Sequence, residues 1–500
     1  MAGMVTLVGA GPGDPGLLTV KGRQALEEAQ VVVYDRLVGP EVLALIPEDA
    51  EAIDVGKRAA HHPVPQEQIS QILLEQAQLG KRVVRLKGGD PFLFGRGGEE
   101  LELLAEHHIP FQEVPGITSA IAAPAYAGIP VTHRDWASSL HIVTGHHRAG
   151  KELSIDFEAL VRAGGTLVFL MGVSALEAIC QGLLQAGMDP ATPAAVVERG
   201  TTPEQRRVSA SLTQLPQAAR QAEVASPAVI VVGGVCALAD DFDWYDALPL
   251  KGARILVTRP RDRAGTLSRR LRALGALVTE FPCIETVPIS PCPAAEVALG
   301  QLEQYGWLCL TSPAGADCLW GLLTGMGRDA RSLGGVKLAA IGPGTAKALA
   351  QYGLRADLVP EVYDAAHLGE VLARRAGAEK VLILRAQEGS PQLTAALDQE
   401  GIAWEDIPVY TTRYDNPQSA QLRQALEAGE LDLVTFTSAS TVKGFAASIG
   451  PDADFSRITG VCIGPQTAAQ AGQLGIPHVV AQRADMDALT AACVQAMERL

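Results

Sequence analysis

Residues 5–19, VTLVGAGPGDPGLLT, decide the fold of the amino-terminal part of this chain. A short β-branched run ends in the loop 9–16, called the arch below, which holds four glycines and two prolines. Glycines let the backbone approach a ligand closely, and prolines stiffen a turn. A second apolar run, Val31-Val32-Val33, then leads to Asp35. Strands that alternate with loops and helices in this way predict an α/β fold.

The arch resembles a dinucleotide-binding motif without meeting its geometry. Residues 11–16 satisfy G-x-G-x-x-G, and Asp35 lies where such a site places its ribose-binding acid. However, Pro15 removes a backbone donor and biases Asp14 away from helical dihedral angles. Thr19 is then the expected N-cap of the following helix. We therefore expect a rigid arch and reject a phosphate cradle.

Length and composition limit the class of protein. The 500 residues predict roughly three domains. A net charge of −15 argues against a nucleic-acid partner. No uncharged apolar run approaches the roughly 18 residues of a membrane helix, which predicts a soluble, cytoplasmic protein with no membrane partner. The eight cysteines form no C-x-x-C pair, so we expect reduced core residues and no metal site.

Apolar runs alternate with helical patterns from end to end, as βαβ units require. Strands are predicted at 83–86, 111–114, 166–171 and 228–232. Loops that follow such strands lie at the sheet edge where open α/β sheets bind ligands. An acidic, aromatic and proline-punctuated segment then precedes a fresh strand, which places the main boundary near 249–252.

An internal repeat organises the second half. LTSPAGAD (310–317) echoes FTSASTVK (436–443), and IGPGTAKALAQYG (341–353) echoes IGPQTAAQAGQLG (463–475). The repeat implies two lobes, each with a Thr-Ser turn and a Gly-Pro-x-Thr-Ala turn. The helix N-termini at these turns could donate N–H groups to an anion across a cleft.

Both halves resemble known families. Residues 1–245 resemble uroporphyrinogen-III C-methyltransferase, through VGAGPGDPGLLT, YDRLV, VGKRAAHH, RLKGGDPFLFGRGGEE, VPGITSA, VTHRD and FLMGV. Residues 253–500 resemble uroporphyrinogen-III synthase, through ILVTRP, LTSPAGAD, IGPGTA, VYTTR, FTSAST and IGPQTA. The resemblance implies a two-lobed tetrapyrrole methylase fold followed by a two-lobed uroporphyrinogen-III synthase-like fold.

The expected domains follow from these matches and from the repeat. The methyltransferase domain is expected at 1–248, with lobes at about 1–114 and 115–245. The synthase domain is expected at 253–500. Its first lobe would be discontinuous, about 253–286 plus 412–500, and its second continuous, about 287–411. Crossings between these lobes are expected near 284–287 and 407–410.

The methyltransferase resemblance implies S-adenosylmethionine as methyl donor, bound between two α/β lobes. Matched residue by residue, the donor contacts would be Pro12, Gly88, Gly89, Asp90, Leu93, Thr118, Ser119, Met171 and Gly200. Asp35 would act as base and Lys57 as a proton donor or charge partner, while Arg36 and Arg58 would attract substrate carboxylates. Four of these residues also have an ordinary interpretation: Asp35 as a solvated loop acid or a salt-bridge partner of Arg36, Lys57 and Arg58 as an exposed basic pair, and Met171 as core.

The synthase resemblance implies cofactor-free cyclisation of hydroxymethylbilane with inversion of ring D. Tyr410 in VYTTR matches the family tyrosine proposed to assist loss of the substrate hydroxyl. Four hydroxyl residues on the paired turns match positions near the substrate: Ser312, Thr345, Ser438 and Thr467. Each could equally be a simple helix N-cap.

Three hypotheses remain open from the sequence. The leading one is a bifunctional enzyme, homodimeric through its methyltransferase half, that makes precorrin-2 from hydroxymethylbilane. The second joins the methyltransferase to a two-lobed module that senses a tetrapyrrole without catalysis. The third is methylation of a different corrinoid intermediate. The sequence does not decide between sirohaem and cobalamin as the destination.

Overall fold

The computed structural model describes residues 3–56, 64–145, 155–259, 261–414, 419–450 and 453–500. The chain forms two compact units. The first is Met1–Ala253 with Arg272–Leu277, and the second is Arg254–Leu271 with Val278–Leu500.

The first unit opens with a parallel five-stranded sheet in the order β3-β2-β4-β1-β5. Its strands are β1 (Met4–Gly9), β2 (Val31–Tyr34), β3 (Glu51–Asp54), β4 (Arg82–Lys87) and β5 (Phe111–Val114). The helices of this stretch are α1 (Val20–Glu27), α2 (Pro40–Leu43), α3 (Gln66–Gln78), α4 (Gly97–Glu106) and α5 (Ser119–Tyr126). Helices cover parallel strands on both faces, so the central strands are nearly continuous buried apolar runs. The strands predicted at 83–86 and 111–114 are confirmed as β4 and β5.

The second sheet of this unit is mixed and has the order β6-β7-β10-β8-β9. Its strands are β6 (Leu140–Thr144), β7 (Thr166–Leu170), β8 (Pro193–Glu198), β9 (Arg206–Ser211) and β10 (Ala228–Val232). Its helices are α6 (Phe157–Ala163), α7 (Leu176–Gln185) and α8 (Leu215–Gln221). The prediction of βαβ units from end to end is wrong here, because β10 runs antiparallel to both β7 and β8. The loop from β8 to β9 is too short for a parallel crossover, so these two strands also pair antiparallel.

The arch has the geometry expected from its prolines. Asp14 is extended, with φ −62° and ψ 120°, and a single 3₁₀ turn, Pro15–Leu17, follows it. Helix α1 begins only after Thr19, whose hydroxyl accepts a hydrogen bond from the N–H of Gly22 at 3.1 Å. The prediction of Thr19 as N-cap is therefore confirmed, and the glycine-rich segment does not itself begin a helix.

The second unit holds two further five-stranded sheets. Its strands are β11 (Arg254–Val257), β12 (Leu277–Glu280), β13 (Glu285–Pro288), β14 (Trp307–Leu310), β15 (Lys337–Ala340), β16 (Val381–Ala386), β17 (Trp404–Arg413), β18 (Leu433–Phe436), β19 (Thr459–Cys462) and β20 (His478–Val480). Its helices are α9 (Arg261–Ala273), α10 (Pro293–Gly300), α11 (Pro313–Gly325), α12 (Pro343–Gln351), α13 (Ala365–Ala376), α14 (Pro391–Gln399), α15 (Ser419–Glu427), α16 (Ala439–Ile449), α17 (Pro465–Gln473) and α18 (Met486–Met497). One sheet has the order β12-β11-β18-β19-β20 and the other β13-β17-β16-β14-β15.

The sequence repeat corresponds to a repeated β-α-β-α unit. In one sheet, β14 leads into α11 and its parallel neighbour β15 into α12. In the other, β18 leads into α16 and its parallel neighbour β19 into α17. The two segments expected to cross between lobes lie side by side, because β13 pairs antiparallel with β17. This strand order supports the proposal of one discontinuous and one continuous lobe.

Candidate active sites

The loops that follow β1 and β4 meet at the carboxyl edge of the first sheet. Gly11 and Gly89 exchange two backbone hydrogen bonds, of 3.2 and 2.7 Å. The N–H of Ala10 donates to the carbonyl of Lys87 at 2.8 Å. This pairing brings the arch, with Pro12, against the predicted donor residues Gly88 and Gly89.

Asp90 ties the β4 loop to the loop after β5. Its Oδ1 accepts the N–H groups of Phe92 and Leu93, each at 2.9 Å, and its Oδ2 accepts the N–H of Gly116 at 3.1 Å. A Cβ on Gly116 would lie 2.1 Å from the carbonyl oxygen of Gly89. Only glycine permits this close approach. The carboxylate of Asp90, which accepts hydrogen bonds from both loops, holds them together.

A loop of the second sheet closes over the arch. The backbone N–H of Asp14 donates to the hydroxyl of Thr201 at 3.3 Å, and the hydroxyl of Tyr126 donates to Asp14 Oδ2 at 2.7 Å. Gly200 lies next to Thr201, and a Cβ on it would lie 2.3 Å from the Cβ of Ala123. Burial and the acceptor carboxylate both raise the pKa of Tyr126, so this hydroxyl remains a donor at neutral pH.

Three further residues that are predicted to bind the methyl donor follow strands of the two sheets. Thr118 is the N-cap of α5 and accepts from the N–H of Ala120 at 3.3 Å, and Ser119 is the first residue of that helix. Met171 follows β7 with a left-handed φ of 56°. Its side chain is 48% exposed, so its ordinary interpretation as core is wrong.

Asp35 stands directly after β2, near the β4 loop. Its Oδ1 accepts the N–H of Leu37 at 3.1 Å, and its Oδ2 lies 3.6 Å from the guanidinium of Arg85. Leu37 in turn touches Gly88, where a Cβ would lie 2.6 Å from that of Leu37. Arg36 is exposed, so the ordinary pairing of Asp35 with Arg36 is replaced by an ion pair with Arg85. Lys57 and Arg58 lie outside the described residues.

A buried charged cluster that the sequence interpretation missed lies beneath Asp35. Glu100 is fully buried, and its Oε1 accepts from Lys87 at 2.7 Å, Gln66 at 2.9 Å and Arg85 at 3.2 Å. Acids in the first turn of a helix, such as Glu99 and Glu100 in α4, are ordinarily explained by favourable helix-end charges. The available signal was the spacing of Arg85 and Lys87, because residues two apart along a strand lie on the same face of a sheet.

In the second unit, Tyr410 meets one of the repeated turns. Tyr410 lies on β17 and is buried in the core, and its hydroxyl oxygen is 2.7 Å from that of Ser312. Ser312 is the N-cap of α11 and accepts the N–H of Gly315 at 3.0 Å. The structure thus joins two of the predicted catalytic and substrate residues in one hydrogen-bonded pair.

The other three hydroxyl residues also lie at helix starts. Ser438 caps α16, accepting from the N–H of Thr441, and its hydroxyl lies 2.8 Å from that of Ser440. Thr345 and Thr467 are buried within the first turns of α12 and α17. Because both threonines are almost fully buried, their hydroxyls are not open to solvent in this conformation.

Three further features of the described residues concern cysteines, possible metal ligands and helix length. All eight cysteines are buried and none forms a disulfide. Within the described ranges, no cluster of His, Cys, Asp and Glu side chains could hold a metal ion. No helix in the same part of the chain combines the length and apolar character needed to cross a membrane.

Two α/β units with glycine-rich or hydroxyl-bearing loops at the carboxyl ends of their strands are typical of enzymes that bind small molecules. The family model of Tetrapyrrole (Corrin/Porphyrin) Methylases matches residues 4–216, and that of Uroporphyrinogen-III synthase HemD matches residues 265–491. The porphyrin biosynthesis protein HemD of Ruminiclostridium josui is 49% identical over 488 residues, covering 97% of each chain. The chain therefore belongs to the family of this porphyrin biosynthesis protein, and it joins a tetrapyrrole methylase fold to a uroporphyrinogen-III synthase-like fold. It is an enzyme of tetrapyrrole biosynthesis.

Further relatives match the first half alone. Siroheme synthase 2 of Cronobacter sakazakii is 55% identical over 245 residues, which cover 49% of this chain and 53% of that protein. A solved structure of uroporphyrin-III C-methyl transferase from Thermus thermophilus, complexed with S-adenyl homocysteine, is 45% identical. That comparison covers 47% of this chain and 99% of the other, with a TM-score of 0.41.

Proposed function

We propose that this chain makes precorrin-2 from hydroxymethylbilane in two stages. The second unit cyclises hydroxymethylbilane to uroporphyrinogen III with inversion of ring D. The first unit then methylates uroporphyrinogen III twice, with S-adenosylmethionine as donor. The observation that carries the proposal is the meeting of the arch with the loops after β2, β4 and β5, in which Leu37, two residues after Asp35, lies against Gly88.

The residues of the first site suit a sulfonium nucleoside better than a dinucleotide. The arch carries one acid, Asp14, and no basic side chain, so a pyrophosphate would meet a carboxylate without a compensating cation. At Gly89, a Cβ would find no atom of the described residues within 4 Å, so this backbone faces open space beside the paired loops. Exposed Met171 and partly buried Leu93 add apolar surface on which the donor can lie.

Asp35 is suited to the proton transfer that follows methylation. Bound S-adenosylmethionine would supply an electrophilic methyl group, to which a pyrrole carbon forms a new bond as the carbon–sulfur bond breaks. The methylated macrocycle must then release a proton. Asp35 is part-exposed at the strand end with a fixed orientation, so it can accept that proton.

The chemistry proposed for the second unit requires mainly that the substrate is held in a folded conformation. Loss of the terminal hydroxyl of hydroxymethylbilane as water generates the electrophile that closes the ring. Tyr410 can assist this departure by donating a hydrogen bond, and Ser312 orients its hydroxyl at 2.7 Å. Helix starts at the repeated turns supply N–H donors for the substrate carboxylates.

One assay tests both stages. The purified chain is incubated with hydroxymethylbilane, with or without S-adenosylmethionine, and the tetrapyrroles are identified by chromatography and mass spectrometry. We expect uroporphyrinogen III without the donor and a doubly methylated product with it. Formation of only the uninverted isomer, as in spontaneous cyclisation, would reject the synthase proposal and favour the sensing module. Failure to methylate supplied uroporphyrinogen III would reject the methyltransferase proposal.

Donor identity has its own test. Calorimetry of the full chain should show binding of S-adenosylhomocysteine, the demethylated donor, and no binding of NAD. Measurable NAD affinity that Gly88→Ala abolishes would contradict the proposed role of the arch and its neighbouring loop.

Assembly and location complete the proposal. We expect a homodimer formed by the methyltransferase unit, small tetrapyrroles as the only ligands besides the donor, no cofactor in the second unit, and a cytoplasmic location. Light scattering of the purified chain tests the dimer.

A further inference from the structure

The cluster of Arg85, Lys87 and Glu100 buries three ionisable side chains in the core of the first unit. Their residues are only 2%, 4% and 0% exposed. Removing charges from water costs several kcal/mol for each ion, and such clusters are often replaceable by apolar residues without loss of stability. Their presence beneath the strand end that carries Asp35 therefore calls for an explanation beyond stability.

The guanidinium of Arg85 is fixed on three sides. Its Nε donates to Glu100 Oε1 at 3.2 Å, and its Nη1 donates to the carbonyls of Val33 and Leu86 at 3.3 and 3.1 Å. Nη2 is the nitrogen directed at Asp35, 3.6 Å from Oδ2. The planar guanidinium cannot turn without breaking these bonds, so it presents one charged edge to Asp35 in a fixed position.

Glu100 holds Arg85 in place, and Lys87, which also donates to Glu100, leads into the β4 loop. Glu100 Oε1 accepts from both cations, so its one negative charge is shared between two positive charges, and the carboxylate of Asp35 lies near the guanidinium of Arg85. The main chain of Lys87 directly precedes Gly88, and its carbonyl accepts the N–H of Ala10 in the arch. The buried cluster therefore contacts Asp35, the proposed proton acceptor, and continues through Lys87 into the β4 loop, which is proposed to bind the methyl donor.

We propose that Arg85, held by Glu100, is a positioning residue for Asp35. It fixes the carboxylate so that Oδ1 stays on the N–H of Leu37 while Oδ2 faces the reacting substrate edge next to the donor. This assignment rests on the proposed methyltransferase function, and it adds two residues that act through Asp35 without touching the substrate.

A double-mutant cycle tests the proposal on the full chain. Asp35→Asn, Arg85→Met and the double variant are compared for methylation of uroporphyrinogen III and for S-adenosylhomocysteine binding. Arg85→Met should lower kcat by roughly 10- to 100-fold, the scale of a misplaced catalytic group, with donor affinity within about twofold. In the Asp35→Asn background, Arg85→Met should lower kcat by less than about threefold, because the carboxylate that Arg85 positions is already absent. Equal losses in both backgrounds, or a loss of donor affinity that matches the loss of kcat, would overturn the proposal.

Two further measurements keep the test decisive. If Arg85→Met does not fold, Arg85→Lys replaces it in the cycle, since lysine keeps the charge but cannot make all these bonds at once. Hydrogen exchange at the Leu37 amide reports the orientation of Asp35 independently of activity. Glu100→Gln and Arg85→Lys should both accelerate that exchange while the β4 amides stay protected. If the parent chain fails to methylate, the proposed function falls, whereas unchanged Leu37 exchange refutes the positioning role by itself.

Discussion

The hydroxyl of Tyr410 on β17 lies 2.7 Å from the hydroxyl of Ser312, the residue that caps helix α11. The two residues are 98 positions apart in sequence, so this contact is a product of the fold. It joins the tyrosine proposed to assist loss of the substrate hydroxyl to one of the repeated Thr-Ser turns.

Removing the hydroxyl of Tyr410 should slow catalysis while leaving stability nearly unchanged. Tyr410→Phe keeps the buried ring, and Ser312 keeps its bond to the N–H of Gly315. We expect the free energy of unfolding to change by about 1 kcal/mol or less. The rate of uroporphyrinogen III formation should fall roughly tenfold or more, as for loss of acid assistance. Initial rates with hydroxymethylbilane and a denaturant titration check both expectations. An unchanged rate would remove Tyr410 from the mechanism.

The close approach of three loops in the first unit depends on Gly116. A Cβ there would lie 2.1 Å from the carbonyl oxygen of Gly89 and 2.6 Å from the Cα of Gly9. Gly116→Ala should therefore push these loops apart, destabilise the unit by about 1–3 kcal/mol and weaken binding of S-adenosylhomocysteine. Unfolding and calorimetry measure the two effects.

Gly98→Ala is the matched control for Gly116→Ala. Gly98 lies in helix α4, and no atom of the described residues is within 4 Å of a Cβ built on it. Alanine is favoured over glycine within a helix by about 1 kcal/mol, so this variant should be as stable as the parent or more so. Equal effects of the two substitutions would show that close loop packing does not determine donor binding.

Strands were predictable where burial made their sequence continuous and apolar. Phe111–Val114 and Ala228–Val232 were predicted with the bounds that the structure has. The relative direction of neighbouring strands was harder to predict, because an apolar run has the same pattern whether its neighbours are parallel or antiparallel. The second sheet was therefore expected to be built from βαβ units, and the β8–β9 hairpin was missed.

The candidate site was predictable where it depends on backbone, and less so where it depends on tertiary contacts. The glycines of the arch and of the β4 loop could be recognised as site residues from the sequence, because a close approach of two backbones requires glycine. The role of Glu100 depends on Arg85 and Lys87, whose side chains reach it only after α4 packs on β4. The predicted strand 166–171 was one residue too long for a related reason, since an apolar pattern does not show where a strand ends and the side chain of Met171 turns outward.

Lys87 should make the stability of the first unit depend on pH. Burial, with the nearby charge of Arg85, lowers its pKa below the ordinary value of 10.5, although Glu100 and Asp35 partly offset this. Between the lowered pKa and 10.5 the unfolded chain binds more protons than the folded one, so this contribution to stability increases as pH rises through that window. Lys87→Met removes the effect.

Hydrogen exchange of the β4 amides measures this prediction, with parent and Lys87→Met compared at each pH from neutrality towards 10.5. The protection of the parent relative to the variant should grow as the pH rises. A difference that stays constant, or that shrinks, would show that Lys87 has no depressed pKa in the folded state.

The last prediction concerns the segment between β12 and β13, which carries the chain from one sheet of the second unit to the other. Helix α16 packs directly on it at Gly444, where a Cβ would lie 2.2 Å from the carbonyl oxygen of Cys283. Gly444→Ala should displace this segment, destabilise the second unit by about 1–3 kcal/mol and slow cyclisation, because the proposed lobes close on the substrate through it. Gly321→Ala is the control: Gly321 lies in α11, the helix that corresponds to α16 in the repeat, and a Cβ there meets no atom of the described residues within 4 Å. Gly444→Ala should lower both the free energy of unfolding and the rate of uroporphyrinogen III formation, whereas Gly321→Ala should leave the rate unchanged and be as stable as the parent or more so. A Gly444→Ala variant as stable and active as Gly321→Ala would show that the segment can move freely beneath α16, and it would contradict a crossing whose position determines the synthase site.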